Sequence, residues 1–211
     1  MKASPKPWCG ECRVGAAQEK FVTRVIFIDI DDVLLTTRSL ILPANRSLLK
    51  ENSHTPDFSR VVFDPVGIQM LNRMAELSEG RFVLSTHWRY TVGVGSTLDA
   101  LRRNGLTMSL FHASPYCPLI GARADGLTGK VRDISAWLEQ HPEVSTWLIL
   151  DNDHSLAVEL ATAAQGLAIT VDPHIGISVR DYRLALDHLG VTHDPDLKLF
   201  GAFNPALAAA D

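Results

Sequence analysis

The chain has 211 residues, of which 46% are hydrophobic and 21% are charged, and its formal net charge at pH 7 is −4. This composition excludes intrinsic disorder as the default state, and the length suits about one domain. We expect no membrane span, because no run of about 18 apolar residues occurs, and no secretory signal in the charged residues 1–20. With only three cysteines, the sequence predicts a cytoplasmic protein with reduced thiols.

Positive charge is concentrated in the middle of the chain. Residues 81–132 contain seven basic and two acidic residues, whereas residues 133–211 contain three basic and twelve acidic residues. A positive segment in an acidic chain suits an anionic partner, such as a nucleic acid or another phosphorylated substrate. The alternative is that these charges lie on separate solvated helix faces and form no common patch.

Predicted strands and helices alternate along the chain after an N-terminal arm at 1–20. Continuous apolar runs predict buried strands, and apolar residues three or four apart predict helices. In chain order the elements are a strand at 25–28, a helix at 66–78, a strand at 82–84, a helix near 96–104, a strand at 107–112, a helix around 131–138, a strand at 147–150, a helix near 155–165, a strand at 167–171 and a helix near 180–189. This order predicts a doubly wound, three-layer α/β/α domain over 21–193 with a mainly parallel sheet, followed by a tail at 194–211.

Three predicted strands end in polar residues. Asp29 follows the first strand, Ser85 follows the second, and Asp151 follows the strand at 147–150. Doubly wound sheets bind ligands outside the carboxyl ends of their strands, where the strand order reverses. We therefore expect these three side chains to line one crevice.

Carboxylates are crowded at two of these strand ends, in the segments DIDD at 29–32 and DND at 151–153. Like charges at such spacing are tolerated where a cation neutralises them, and oxygen ligands without nearby Cys or His favour Mg²⁺ over Zn²⁺. The alternative is an acidic turn and a helix N-cap at Asp153. A Mg²⁺ site commonly binds phosphate as well, for which Ser85 or Thr86 supplies a hydroxyl and Lys130 a positive charge.

Four segments resemble the motifs of the haloacid dehalogenase (HAD) superfamily. The segment VIFIDIDDVLL at 25–35 resembles motif I, the strand ending at Ser85 resembles motif II, Lys130 at the start of a helix resembles motif III, and LILDN at 148–152 resembles motif IV. The match covers about residues 21–190. The segment STHWR after the second strand and the residues 174–176 look like the HAD domains of bacterial RNA-repair proteins, and the Asp-Asn pair is also seen in small phosphoprotein phosphatases of the superfamily.

The resemblance implies a role for each motif residue. Asp29 would be the nucleophile and a Mg²⁺ ligand. Asp31 would protonate the leaving oxygen, activate water, and bind the metal through its carbonyl. Ser85, with Thr86, would orient the phosphoryl group, which Lys130 would hold together with Asp29. The metal site would be completed by Asp151 and by Asn152 or Asp153.

Asp32 departs from the motif pattern of the superfamily, and part of that pattern also occurs in another family, the receiver domains. The superfamily usually has Gly after the second Asp of motif I, where this chain has Asp32. Receiver domains also combine paired Asp, Ser or Thr and Lys on a doubly wound sheet. In those domains the Lys follows the last strand of the site, whereas Lys130 precedes the strand at 147–150 by one helix, which disfavours that reading.

The predicted substrate is large. The 55 residues between Asp29 and Ser85 and the 44 between Ser85 and Lys130 leave room for a loop or lid at 40–62 but no folded cap, and such an open site admits nucleic-acid ends or phosphoproteins. Near Ser85, we predict that Arg89 clamps phosphate, with a surface ion pair as the alternative. Trp88 is expected to pack in the core, with base stacking as the alternative.

The sequence thus predicts a Mg²⁺-dependent phosphatase that acts through an aspartyl-phosphate on a nucleic-acid end, a nucleotide or another large phosphorylated substrate. The alternatives are a phosphoprotein phosphatase and a non-catalytic HAD-like scaffold. Cys9 and Cys12 form a CxxC pair that would need two more ligands to bind zinc, with Cys117 as one candidate. The sequence contains no signal from which an oligomeric state could be predicted.

Overall fold

The fold is a single five-stranded sheet with helices on both faces. The computed structural model describes residues 23–51, 58–120, 129–160, 165–192 and 194–195. The strands are β1 (Thr23–Ile28), β2 (Arg81–Leu84), β3 (Phe111–Tyr116), β4 (Val144–Asp151) and β5 (Gly166–Thr170). They pair in the order β3-β2-β1-β4-β5, and every pair is parallel. The predicted doubly wound α/β fold is confirmed.

Seven α-helices lie in the described part of the chain. They are α1 (Thr37–Leu40), α2 (Pro43–Glu51), α3 (Pro65–Ser78), α4 (Val94–Arg103), α5 (Gly129–Gln140), α6 (His154–Glu159) and α7 (Val179–His188). A π-helical turn at Arg89–Gly93 leads into α4, and 3₁₀ turns occur at Phe58–Arg60 and Met108–Leu110. Among the described residues, no helix has both the length and the apolar character that crossing a bilayer requires.

Side chains alternate between the two faces of the sheet and thereby build two cores. From β1, Ile26 and Ile28 join a core that contains residues of α3, α4 and α7, whereas Val25 and Phe27 join a second core with residues of α5 and α6. All four side chains are fully buried. A strand that is covered on both faces has to be continuously apolar, which is why the run VIFI identified β1 from sequence.

The strand order reverses between β1 and β4. The chain passes from β1 outward to β2 and β3, and then returns to β4 on the other side of β1. Backbone hydrogen bonds align the strand ends here, because the Asp29 amide donates to the Leu150 carbonyl at 3.1 Å and the Ser85 amide donates to the Ile28 carbonyl at 3.0 Å. Asp29, Ser85 and Asp151 therefore follow or end adjacent strands at one edge of the sheet.

The segment at 40–62, for which the sequence predicted a loop or lid, contains α2. The buried side chain of Asn45 anchors this helix: its Nδ2 donates to the carbonyls of Ser39 and Val62 at 2.8 and 2.7 Å, and its Oδ1 accepts from the Val62 amide at 2.8 Å. Pro43 occupies the first helical position, a preferred site for proline that the sequence analysis overlooked. Residues 52–57 of this segment lie outside the described residues.

Two element boundaries also differ from those predicted. The strand expected at 107–112 begins only at Phe111, because a 3₁₀ turn occupies Met108–Leu110. It continues through Pro115, which is tolerated because β3 is an edge strand with one side unpaired. The helix expected at 155–165 ends earlier, at Glu159.

The predicted limits of the domain can be compared with the structure only at its C-terminal end. The arm at 1–20, with Cys9 and Cys12, and most of the tail at 194–211 lie outside the described residues. Asp194 is described and buried, and it accepts hydrogen bonds from the Tyr182 hydroxyl at 2.6 Å and from Arg73 Nη2 at 3.0 Å. Asp194, the first residue of the predicted tail, thus contacts the domain through Tyr182 and Arg73.

Candidate active site

A buried lysine joins two carboxylates at the point where the strand order reverses. Lys130 Nζ lies 2.6 Å from Asp29 Oδ2 and 2.6 Å from Asp151 Oδ2. The exposed fractions are 9% for Lys130, 4% for Asp29 and 1% for Asp151. Because Lys130 is the second residue of α5, the crossover from β3 back to β4 carries it to the ends of β1 and β4.

Backbone amides fix the orientation of both carboxylates. Asp29 Oδ1 accepts from the amide of Ile30 at 2.7 Å, and Asp151 Oδ1 accepts from the amide of Asp153 at 3.0 Å. In each carboxylate the other oxygen, Oδ2, is the one that Lys130 contacts. Each of the four oxygens thus has a partner, and Lys130 is shared between the two carboxylates.

The electrostatics of this group follow from burial and close spacing. Burial, reinforced by the charge of Asp29, raises the pKa of Asp151 to about 6 against the opposing effect of Lys130. Burial alone would lower the pKa of Lys130, but the charges of Asp29 and Asp151 outweigh it and raise that pKa. The lysine is therefore held in its charged form between the two carboxylates.

Asp31 lies beside this group and keeps an exposed side chain. Loss of surrounding water raises its pKa, and the charges of Asp29 and Asp32 act in the same direction, while a hydrogen bond from Trp88 opposes them. That bond runs from Trp88 Nε1 to Asp31 Oδ1 at 2.9 Å. The sequence analysis expected Trp88 in the core, where it lies, but missed its link to Asp31, which no local spacing signals because 57 residues separate the two.

Asp32, the residue that departs from the family pattern, occupies a left-handed backbone conformation with φ at 62°. Glycine adopts this conformation most easily, and Asp is among the few other residues that tolerate it. Its Oδ2 accepts a hydrogen bond from Asn152 Nδ2 at 2.9 Å, which connects the segment after β1 to the segment after β4. The geometry that favours Gly is therefore preserved, and the Asp side chain adds a contact that Gly could not make.

The hydroxyl groups after β2 differ in their surroundings. Ser85 Oγ is buried and has no hydrogen-bond partner among the described residues. Thr86 Oγ1 accepts from the amide of Trp88 at 3.3 Å, which closes a local turn. A buried hydroxyl without a partner is costly, so the orphaned Ser85 Oγ fits a site that receives a polar group from a ligand.

Arg89 has different partners from the phosphate assigned to it by the sequence analysis. Its side chain is buried and ion-paired to Asp133, with Nη2 2.9 Å from Oδ2. It also donates to the carbonyl oxygens of Thr86, Cys117 and Ser85. These contacts make Arg89 a structural link between the loops after β2 and β3 and helix α5.

The structure divides the basic residues of the positive segment at 81–132 between the interior and the surface. Three of its basic residues are buried, namely Arg89, Lys130 and Arg132, and Arg102 is paired with Asp99 at 2.9 Å. Arg123 lies outside the described residues. Arg81 and Arg103 are exposed, so part of the positive charge of this segment is used inside the fold and part remains at the surface.

The donors around Lys130 suit a Mg²⁺ ion. One lysine faces the carboxylates of Asp29 and Asp151, and Asp31 and Asp32 add further negative charge nearby. A divalent cation would neutralise this excess, and carboxylate and amide oxygens are the ligands that Mg²⁺ prefers. The residues that would hold it are those predicted from sequence, namely Asp29, Asp31, Asp151 and Asn152. Asp153, the remaining candidate, is the N-cap of α6 and accepts from the Ser155 amide at 2.9 Å.

A separate group of His and Glu side chains lies at the opposite edge of the sheet. Ligand atoms of His112, His141 and Glu143 lie within 4.8 Å of one another, at the starts of β3 and β4. Nδ1 of His112 already accepts from the Ser114 amide at 3.0 Å. Burial raises the pKa of the Cys117 thiol to about 12, which keeps it protonated and disfavours a role as a zinc ligand. Neither feature belongs to the candidate active site.

Comparison with known proteins identifies a family to which this chain is similar. The profile of the family described as "HAD domain in Swiss Army Knife RNA repair proteins" matches residues 25–182. This range spans the motifs that carry Asp29, Ser85, Lys130 and Asp151. Searches of curated proteins and of solved structures found no significant match. The chain belongs to this HAD family, and its membership supports a hydrolase of the phosphatase type in general.

Proposed function

We propose that the protein is a Mg²⁺-dependent phosphomonoesterase that acts through an aspartyl-phosphate on Asp29. The observation that carries this proposal is the placement of Lys130 Nζ at 2.6 Å from both Asp29 Oδ2 and Asp151 Oδ2. An ion-paired lysine of this kind supplies a fixed positive charge where three phosphoryl oxygens would gather. Burial strengthens the effect, because charges act more strongly away from water.

In the first step, a carboxylate oxygen of Asp29 attacks the phosphorus atom. A bond forms between that oxygen and phosphorus while the bond from phosphorus to the leaving oxygen breaks. Asp31 gives its proton to the leaving oxygen, so the product departs as an alcohol. The raised pKa of Asp31 favours the protonated form that this step needs.

In the second step, Asp31 acts as a base. It takes a proton from a water molecule, whose oxygen attacks the phosphorus atom, and the bond between phosphorus and Asp29 breaks. Inorganic phosphate leaves, and both carboxyl groups return to their starting protonation states. Lys130 holds the phosphoryl oxygens through both steps, and Ser85 Oγ, which has no partner among the described residues, would donate a hydrogen bond to one of them.

Mg²⁺, when bound by Asp29, Asp31, Asp151 and Asn152, would neutralise negative charge on the phosphoryl group and draw it towards Asp29. In this chain the Asn152 side chain is already oriented by its hydrogen bond to Asp32. This bond uses the Asn152 amide nitrogen and leaves the amide oxygen available as a ligand.

The proposed substrates are large phosphorylated molecules, with nucleic-acid ends first. The exposure of Asp31 supports an open site in the described part of the chain. The family, whose description refers to RNA repair proteins, supports nucleic-acid ends over other phosphomonoesters. Phosphopeptides are the second class.

The test is release of phosphate from a panel of substrates, with and without Mg²⁺. The panel contains 5′- and 3′-phosphorylated oligonucleotides, a phosphopeptide and para-nitrophenyl phosphate, and the matched control is Asp29→Asn, which keeps the size of the side chain. We expect Mg²⁺-dependent release that Asp29→Asn abolishes, fastest with an oligonucleotide. Preference for the phosphopeptide would change the substrate class. Folded protein without release from any substrate would contradict the proposal and favour a scaffold.

A further inference from the structure

One hydrogen bond determines how the Asp31 carboxyl group is held. Trp88 Nε1 donates to Asp31 Oδ1 at 2.9 Å. The Trp88 side chain is 2% exposed, whereas Asp31 is exposed. A buried, fixed donor thus holds one oxygen of a carboxyl group that belongs to an exposed residue.

Trp88 is itself held by aromatic neighbours. Its ring centroid lies 4.9 Å from that of Phe58 and 5.7 Å from that of Phe63. Its backbone amide donates to Thr86 Oγ1 at 3.3 Å, in the turn that follows β2. The indole therefore presents its N–H from a rigid position that does not depend on Asp31.

The chemistry of indole makes this contact asymmetric. Indole N–H is a donor only and cannot accept a hydrogen bond. A carboxyl oxygen that carries the hydrogen is a weaker acceptor than the carbonyl oxygen, so the hydrogen bond from Trp88 to Oδ1 favours protonation on Oδ2. When Asp31 is ionised, the same contact stabilises the negative charge on Oδ1 and leaves Oδ2 as the more basic oxygen.

We propose that Trp88 is a positioning residue that selects Oδ2 of Asp31 as the oxygen that exchanges protons during catalysis. In the first step the proton passes from Oδ2 to the leaving oxygen as the bond between phosphorus and that oxygen breaks. In the second step Oδ2 takes the proton of the attacking water. The inference rests on the proposed phosphatase function and adds to it a residue outside the four motifs.

The test uses leaving groups that differ in their need for a proton. Trp88→Phe keeps an aromatic ring but removes the N–H. For an alkyl phosphate such as a 3′-phosphorylated oligonucleotide, kcat/KM should fall roughly tenfold to hundredfold, the range for loss of a hydrogen bond to a charged group. For para-nitrophenyl phosphate, whose leaving group departs without a proton, kcat/KM should stay within about threefold of wild type.

Two comparison variants separate positioning from packing. Asp31→Asn removes the acid and should show the same selectivity for alkyl substrates, but more strongly. Phe58→Leu disturbs the packing of Trp88 while keeping its N–H, and it should change both substrates by the same factor. An equal loss on both substrates in Trp88→Phe, or no loss on either, would overturn the inference.

A measurement independent of activity addresses the case in which Trp88→Phe does not fold. The indole N–H resonance of Trp88 in the otherwise unaltered protein should move upfield in Asp31→Ala, because its acceptor is lost. An unchanged resonance would overturn the inference. If the wild type releases no phosphate from any substrate, the proposed function fails. If it is active and Asp31→Asn is selective while Trp88→Phe is not, only the role of Trp88 fails.

Discussion

Arg89 and Asp133 form a buried ion pair that ties the segment after β2 to helix α5. Nη2 of Arg89 lies 2.9 Å from Oδ2 of Asp133, and the side chains are only 4% and 3% exposed. Asp133 stands three residues after Lys130, so it lies about one turn further along the same helix. The pair therefore fixes the helix that delivers Lys130 to the two carboxylates.

Arg89→Ala is expected to destabilise the protein by about 3–5 kcal/mol, because it leaves Asp133 buried without its charge partner. Urea denaturation of Arg89→Ala, Asp133→Ala and the double variant measures this cost, and the double variant should lose much less than the sum of the single ones. A stable Arg89→Ala protein whose KM for phosphorylated substrates is raised would instead support a phosphate clamp at this position.

Asp32 provides a test of the left-handed turn after β1. Both Asp32→Gly and Asp32→Ala remove the hydrogen bond from Asn152, so the difference between them isolates the backbone. Because φ is 62°, we expect Asp32→Gly to be more stable than Asp32→Ala by about 1 kcal/mol. Thermal unfolding of the two variants measures this difference. Equal stabilities would show that the turn does not hold this conformation in solution.

Asn45 should matter for stability more than its place in a polar segment suggests. Asn45→Ala removes three hydrogen bonds and leaves the backbone groups of the buried Ser39 and the partly buried Val62 without these partners, at a cost of about 2 kcal/mol or more. The matched control is Ser47→Ala on the same helix, which is exposed and should change stability by less than about 0.5 kcal/mol. Similar values for the two variants in chemical denaturation would indicate that α2 is not anchored through Asn45.

The pH response of His112 follows from its surroundings. Burial, with the nearby His141, lowers the pKa of His112 from 6.5. Since the folded protein favours the neutral ring, the stability that it contributes is present above pH 6.5 and is lost as the pH falls towards the lowered value. NMR titration should give a midpoint below 6.5, and His141→Asn should raise that midpoint. A wild-type midpoint at or above 6.5 would contradict this environment.

The parts of the fold that were predictable from sequence are those in which one short segment carries its own signal. The run VIFI predicted β1, because a strand that is covered on both faces has to be apolar. The polar residue that follows the run, Asp29, marked the end of the strand. The helix at 43–51 was not predicted, because the contacts that anchor it join the buried Asn45 side chain to Ser39 and Val62, up to 17 residues away in the chain.

Contacts between distant residues were beyond the reach of sequence reasoning. From sequence, the side chain of Arg89 was compatible with a phosphate or with a surface ion pair, and only folding brings Asp133, 44 residues away, to it. The same holds for the contact of Trp88 with Asp31. Residue type defined the chemistry of these positions, whereas tertiary structure determined which partner each one has.

The central claim is that the reaction passes through an aspartyl-phosphate on Asp29. The most direct test is to identify the residue that carries the phosphoryl group during turnover. The protein is mixed with a phosphorylated substrate and Mg²⁺, quenched in acid within the first turnovers, and analysed by mass spectrometry for one added phosphoryl group. The account predicts a hydroxylamine-sensitive adduct on the peptide containing Asp29, absent from Asp29→Asn and from samples treated with a chelator. Phosphate release that continues in Asp29→Asn, or an adduct on any other residue, would contradict it.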